Sequence, residues 1–188
     1  MPNNIAVLYK TKYGSTRTYA KWISDKTHGD LYDISNVTVN HLLNNYDFIV
    51  FVGALYAGKL SSAKYIKKFY KKLKEKKKLY CVMVGITNPK NQDLIDFTIN
   101  KNFKSDEKDY MKFFSLRGEL DFQKLKLHHA LMMHMLTRII SNKTNKTDDE
   151  IMLLENYGKK ISFLNKNSID EIVSDIKNKN KELKIENN

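Results

Sequence analysis

One cysteine, Cys81, stands in 188 residues. An internal disulfide is therefore impossible, and the disulfide-stapled architectures of small secreted domains are excluded. The chain also lacks a charged N-terminal segment followed by a cleavable apolar run, which sets the expectation of a cytoplasmic protein. Its longest apolar runs, such as Phe48 to Tyr56, are far shorter than the roughly 20 residues needed to cross a bilayer. That excludes an integral span and leaves attachment at a membrane surface open. Internal repeats are absent. Three Asn-x-Thr triplets, at Asn36, Asn142 and Asn145, carry no weight in an Asn- and Lys-rich composition. Acidic residues are in deficit: 21 against 33 Lys and Arg give a formal charge of +12. Such a charge favours an acidic partner without choosing among nucleic acid, anionic lipid and protein. The length suits one domain over 1–188 with a substantial core.

What is present alternates between two periodicities. Ile5 to Tyr9, Asp30 to Ile34, Phe48 to Ala54, Leu79 to Ile86 and Lys112 to Leu116 read as strands. The first, third and fourth are continuously apolar, as strands covered on both faces of a parallel sheet must be. Helical patterns separate them. Ile66, Phe69, Tyr70 and Leu73 keep helical spacing, with lysines on the opposite face. Tyr19, Trp22, Ile23 and Lys26 form a stripe in a helix opening near Ser15, with Gly29 at its C-terminal cap. Leu94, Ile95, Thr98 and Ile99 predict a further helix, as do Leu154, Tyr157, Ile161 and Leu164, and then Ile169, Ile172, Val173 and Ile176. Strands alternating with helices demand right-handed crossovers, and a doubly wound five-stranded parallel sheet in the order 2-1-3-4-5 is a common solution. From Asp175 onward the chain is polar, and 177–188 is expected to fray.

Five of the seven glycines (Gly14, Gly53, Gly58, Gly85 and Gly118) fall at or just beyond predicted strand ends, where open α/β sheets bind ligands. After the first strand, Thr11-Lys12-Tyr13-Gly14-Ser15-Thr16 opens directly into a helix. Backbone N–H groups there, together with the hydroxyls of Thr11, Ser15 and Thr16, suit a phosphate. Ser15 can equally serve as an ordinary helix cap with no ligand. The loop is neither a Walker loop nor a Gly-x-Gly-x-x-Gly dinucleotide turn.

The run from Tyr9 to Arg17 resembles the phosphate loop of flavodoxins, with Tyr13 where that family usually carries threonine. It is still more similar to flavodoxin-type, menaquinone-dependent protoporphyrinogen oxidases, whose loop continues with Thr-Arg, here Thr16-Arg17. The segment Gly53 to Ala63 resembles that family's loop after the third strand. The resemblance implies a flavodoxin-like fold. It further implies FMN held by Thr11, Lys12, Tyr13, Gly14, Ser15 and Thr16, by Ala54, Leu55, Tyr56, Ala57 and Gly58, and by Thr87 and Asn88. Tyr56 would lie beside the flavin ring, although a buried aromatic at a strand end explains it nearly as well. The third loop lacks the stacking aromatic that flavodoxins often place there.

After the fifth strand comes an insert, about 119–147, whose Phe122 to Ile140 portion reads as one apolar helix. Two readings stand: a core helix beside the flavin site, which apolar periodicity favours, or a surface for membrane or substrate. His128, His129 and His134 are poorly spaced for a shared metal, so none is expected. Nine lysines and one acid, Glu75, lie between Lys64 and Lys78. This is by default a solvated face. Contact with an anionic membrane is compatible with it, whereas nucleic acid is disfavoured because no recognition module accompanies the charge. Cys81 is expected to be buried and unreactive. Arg117 and Lys59 could steer an anionic substrate, and surface solvation accounts for them equally. Functionally, the resemblance implies an FMN-dependent oxidoreductase passing electrons to a quinone. An electron carrier between redox proteins, or a domain that has lost its cofactor, are the alternatives.

Overall fold

The computed structural model describes residues 4–186. Five strands, β1 (Ile5–Lys10), β2 (Asp30–Asp33), β3 (Phe48–Tyr56), β5 (Lys78–Gly85) and β6 (Met111–Arg117), form an all-parallel path in the order β2-β1-β3-β5-β6. This is the expected doubly wound order. A two-residue strand, β4 (Lys59–Leu60), pairs antiparallel with the end of β3.

The register explains why the central strands read as unbroken apolar runs. Leu8, Phe51, Cys81 and Phe113 lie in one row across the sheet. They pack under α2 (Val39–Asn45), α3 (Ala63–Leu73) and α4 (Gln92–Asn102), with Leu42, Ile66 and Phe69 among their neighbours. Val7, Val50 and Tyr80 form a row facing the other way. They meet Tyr19 and Ile23 of α1 (Ser15–Thr27) and Ile172 and Ile176 of α8 (Asp170–Glu186). Every second residue thus belongs to a different core, and each fully buried aliphatic contributes about 1.5–3 kcal/mol.

Four expectations need correction. Helix α1 ends on His28 in the left-handed conformation (φ 55°), not on Gly29. Gly29 is needed for a different reason: a Cβ there would sit 2.9 Å from the Ile5 carbonyl oxygen. The helix predicted through Leu154, Tyr157, Ile161 and Leu164 stops early. Helix α7 (Asp148–Glu155) gives way to a turn at Gly158 (φ 80°) and then to β8 (Lys160–Ser162), which pairs with β7 (Glu119–Asp121). The tail expected to fray is helical to Glu186, because Ile176 is buried, Leu183 packs on the core and Asp175 accepts from the Tyr80 hydroxyl at 2.8 Å. Asn187 and Asn188 lie outside the described residues. The predicted helix over Phe122 to Ile140 begins only at Leu127, as α6 (Leu127–Ser141). Helix α5 (Ser105–Asp109) is a short addition before β6.

Candidate functional site

Three loops meet at the carboxyl ends of β1, β3 and β5, beside a cavity of about 530 Å³. The first runs from Thr11 to Thr16. Gly14, at φ 106°, precedes α1, and no side chain caps the helix. The cap reading of Ser15 therefore does not hold: Ser15 is the first helical residue, and its side chain faces Gly118 across the cavity edge. Thr11 Oγ1 accepts from the Gly14 N–H at 3.0 Å, which pulls the loop into a tight turn. Thr16 is fully buried, yet its hydroxyl has no hydrogen-bond partner. A buried hydroxyl left unmatched costs about 1–3 kcal/mol. It stands on the first turn of an uncapped helix, whose positive dipole end favours an anion.

The second loop is a hairpin. Ala57 (φ 49°) and Gly58 (φ 72°) take the two positive φ values that a type I′ turn requires. Asn102 of α4 fixes this turn by donating to the Gly58 carbonyl at 2.7 Å and accepting from Leu60 N–H at 2.9 Å. Ser61, which the sequence did not single out, joins the first two loops: its hydroxyl donates to the Lys10 carbonyl at 2.8 Å and accepts from Ala54 N–H at 2.9 Å. Ala54, Leu55, Tyr56, Ala57 and Gly58 all border the cavity.

Tyr56 is not a free stacking surface. The His129 ring of α6 lies against it, with centroids 5.0 Å apart and planes 20° from parallel. Tyr13 meets it edge-on, and Lys12 Nζ lies 5.5 Å from its centre. Burial pushes the Tyr56 phenol up to about 12, against the opposing pull of a backbone hydrogen bond from Lys12. Tyr13 explains its own departure from threonine. Its hydroxyl accepts from Lys126 N–H at 3.2 Å and lies 2.5 Å from His129 Nδ1. The histidine tautomer sets which of the two groups donates in the second contact. Burial, reinforced by His128, Lys12 and Lys126, holds the His129 pKa below the ordinary histidine value.

In the third loop, Thr87 borders the cavity, while Asn88 is held by its neighbours. Asp149 of α7 accepts from Asn88 N–H at 3.0 Å and from Arg117 Nη2 at 3.0 Å. Arg117 also donates to the Ile86 carbonyl and stacks over Phe163, with 3.6 Å to the ring centre. It is a strut between β6, the third loop and α7, which corrects the reading of it as a group free to steer substrate. Lys59 remains exposed.

Helix α6 contradicts the core-helix reading. Only His129, Thr137 and Ile140 are buried; one side of the helix roofs the cavity through Met132, Met133 and Leu136, and the other is open to solvent. Phe97 and Leu94 of α4 face the cavity from across the gap, supplying apolar surface that the third loop itself lacks. The cavity carboxylates are each matched by a cation: Glu119 by Lys160, Asp149 by Arg117 and Glu150 by Lys143. The His128 and His129 rings lie 4.1 Å apart, and His134 Nδ1 is 3.2 Å from the Tyr157 hydroxyl. Cys81 is buried within β5, which pushes its thiol pKa well up.

A doubly wound sheet whose first strand leads through a hydroxyl-rich loop into an uncapped helix places that helix N-terminus at the edge of the sheet where open α/β folds bind ligands. The chain belongs to the flavodoxin domain family, whose defining pattern it matches over residues 6–148. Solved structures with a similar fold include a flavodiiron core from Synechocystis sp. PCC6803 (15% identity, 61% of this chain and 30% of that one, TM-score 0.43). Others are a flavodoxin from the domain Archaea (13% identity, 60% and 82% covered, TM-score 0.41) and the Trp repressor binding protein from Bacillus subtilis (18% identity, 61% and 82% covered, TM-score 0.42). The chain thus spans less than a third of the flavodiiron core. No curated protein sequence matches it.

Proposed function

We propose that the chain is an FMN-dependent oxidoreductase that hands electrons to an apolar acceptor of the quinone class. The observation that carries the cofactor is the orphaned Thr16 hydroxyl on the first turn of an uncapped α1. A bound phosphate supplies what that hydroxyl and the helix N–H groups lack, and family membership supports flavin as the group carrying it. Thr11, Gly14, Ser15 and Thr16 would hold the phosphate, with Lys12 adding positive charge. The hairpin from Ala54 to Gly58 and Thr87 would border the ring, and Asn88 would act by fixing the third loop. FMN, once bound, supplies one- and two-electron transfer.

The protein's own residues set access and charge. Leu94, Phe97, Met132 and Leu136 keep one end of the cavity apolar, which favours a ring-shaped organic acceptor over a water-soluble anion. The neutralised carboxylates and the nearby Lys12 and Lys101 favour negative charge developing within it. Protoporphyrinogen oxidase-like activity is one form of this chemistry. A carrier serving other redox proteins is the second reading, favoured by the absence from the cavity of an unengaged acid/base pair. Steady-state oxidation of protoporphyrinogen, the electron donor, with a short-chain menaquinone analogue as acceptor separates them. Turnover at rates above 1 s⁻¹, on the order of ordinary enzymes, supports the enzyme; reduction of acceptor proteins alone supports the carrier.

A further inference from the structure

We propose that α6 is a docking surface for anionic phospholipid membranes. The observation is the side of α6 turned away from the cavity. Leu127 is 86% exposed, Leu131 60%, Met135 57% and Ile139 61%, one helical turn apart along a single stripe that none of the cavity-lining residues shares. Apolar side chains this exposed and this contiguous mark an interaction surface.

Charge identifies the occupant. Between residues 122 and 147 there are five Lys or Arg (124, 126, 138, 143 and 146) and no Asp or Glu. Among the described residues, Lys126 and Arg138 have no carboxylate within ion-pair distance, while Lys124 and Lys143 pair with acids outside this stretch, Asp121 and Glu150. Aliphatic and thioether side chains flanked by long cations are the composition of a helix lying in a lipid interface, where lysine and arginine stems reach back to the headgroups. At 15 residues α6 cannot span a bilayer, and no described helix is long and apolar enough to do so. A second copy of this chain is disfavoured, because facing stripes would bring Lys126, Arg138 and the histidines of both copies together. The stripe of Leu127, Leu131, Met135 and Ile139 also presents no side-chain hydrogen-bonding groups for a protein groove to read. The inference does not depend on whether flavin binds.

The test is flotation of the purified chain with phosphatidylglycerol or phosphatidylcholine vesicles at low and high salt. It is repeated for the double variant Leu131→Glu/Ile139→Glu, at two positions outside the cavity lining, with circular dichroism confirming that the variant is folded. The chain is expected to float with phosphatidylglycerol and not with phosphatidylcholine, and the double variant should lose at least tenfold in bound fraction. Three results overturn the proposal. The parent chain could fail to float with phosphatidylglycerol at low salt. The variant could float equally well, which assigns attachment to the lysines of α3. Or the parent could sediment as a dimer that the variant dissociates while neither binds vesicles, which assigns the stripe to a second copy.

Discussion

Replacing Tyr13 by Phe keeps the ring against Tyr56 and removes one oxygen. That oxygen holds the start of α6 at two points, the Lys126 N–H at 3.2 Å and His129 Nδ1 at 2.5 Å. The Lys126 N–H is near solvent and can turn to water, so its loss is small. His129 is 8% exposed, and its Nδ1 would be left facing a CH edge; an unmatched buried polar atom costs about 1–3 kcal/mol. Taking the middle of that range, about 2 kcal/mol, the first turn of α6 should detach roughly 30-fold more often. The His129 ring against Tyr56 is the other contact at this end and is unchanged in the variant, while Ile140, the apolar anchor, lies at the far end of the helix. Limited trypsin digestion reads the opening directly, because Lys124 and Lys126 flank the attachment. When the helix recloses faster than trypsin cuts, the cleavage rate tracks the open population. The expected result is cleavage at these two lysines on the order of 30-fold faster in the variant, with the same loss of about 2 kcal/mol lowering the melting temperature by about 4–8 °C. A change below threefold would show that Tyr13 does not hold α6, and the account of why tyrosine stands in this loop would be wrong.

Other expectations follow from the same contacts. Thr16→Val removes a hydroxyl that has no partner in the fold. Urea unfolding should show no loss of stability, while FMN affinity falls about 10- to 100-fold, as for a hydrogen bond to a charged group, and riboflavin affinity stays unchanged. The depressed pKa of His129 means that the unfolded chain binds the proton more readily, so this residue's contribution is fully present above pH 6.5 and is lost as pH falls towards and through the folded-state value. The fall in melting temperature between pH 7 and pH 5 should therefore be shallower in His129→Gln than in the parent chain. At Gly53, a Cβ would lie 2.3 Å from Ser62 Oγ and 2.8 Å from Leu60 Cδ1. Gly53→Ala should lower unfolding stability by about 1–3 kcal/mol, as overpacking does, and thermal denaturation measures it.

The sheet and its order were legible because parallel strands covered on both faces must be apolar along their buried length, and β1, β3 and β5 are, with lysines only at the ends, Lys10 and Lys78. The tight turn from Thr11 into α1 was legible because Gly14 and its flanking hydroxyls are local in sequence. Less could be read where long-range contacts decide. Leu154 to Leu164 has helical spacing, but Gly158 and the pairing of Ile161 with Leu120 turn it into a strand. The α6 periodicity suggested burial, yet its apolar residues are divided between the cavity roof and solvent. Polar composition suggested fraying in α8, whereas three scattered contacts, at Asp175, Ile176 and Leu183, hold it. The network of Tyr13, Tyr56 and His129 joins residues more than a hundred positions apart. Its local sign was Tyr13 itself, an aromatic among the hydroxyls and glycine of the loop from Thr11 to Thr16.

Titration of the purified apoprotein with FMN and with riboflavin, followed by flavin fluorescence and visible absorbance, tests the central claim most directly. The account predicts tight FMN binding and riboflavin binding weaker by at least 10-fold, the difference coming from the phosphate on the first turn of α1. Equal affinity for the two would contradict the role of Thr16 and its loop, and no binding of either would leave the flavodoxin fold without its cofactor.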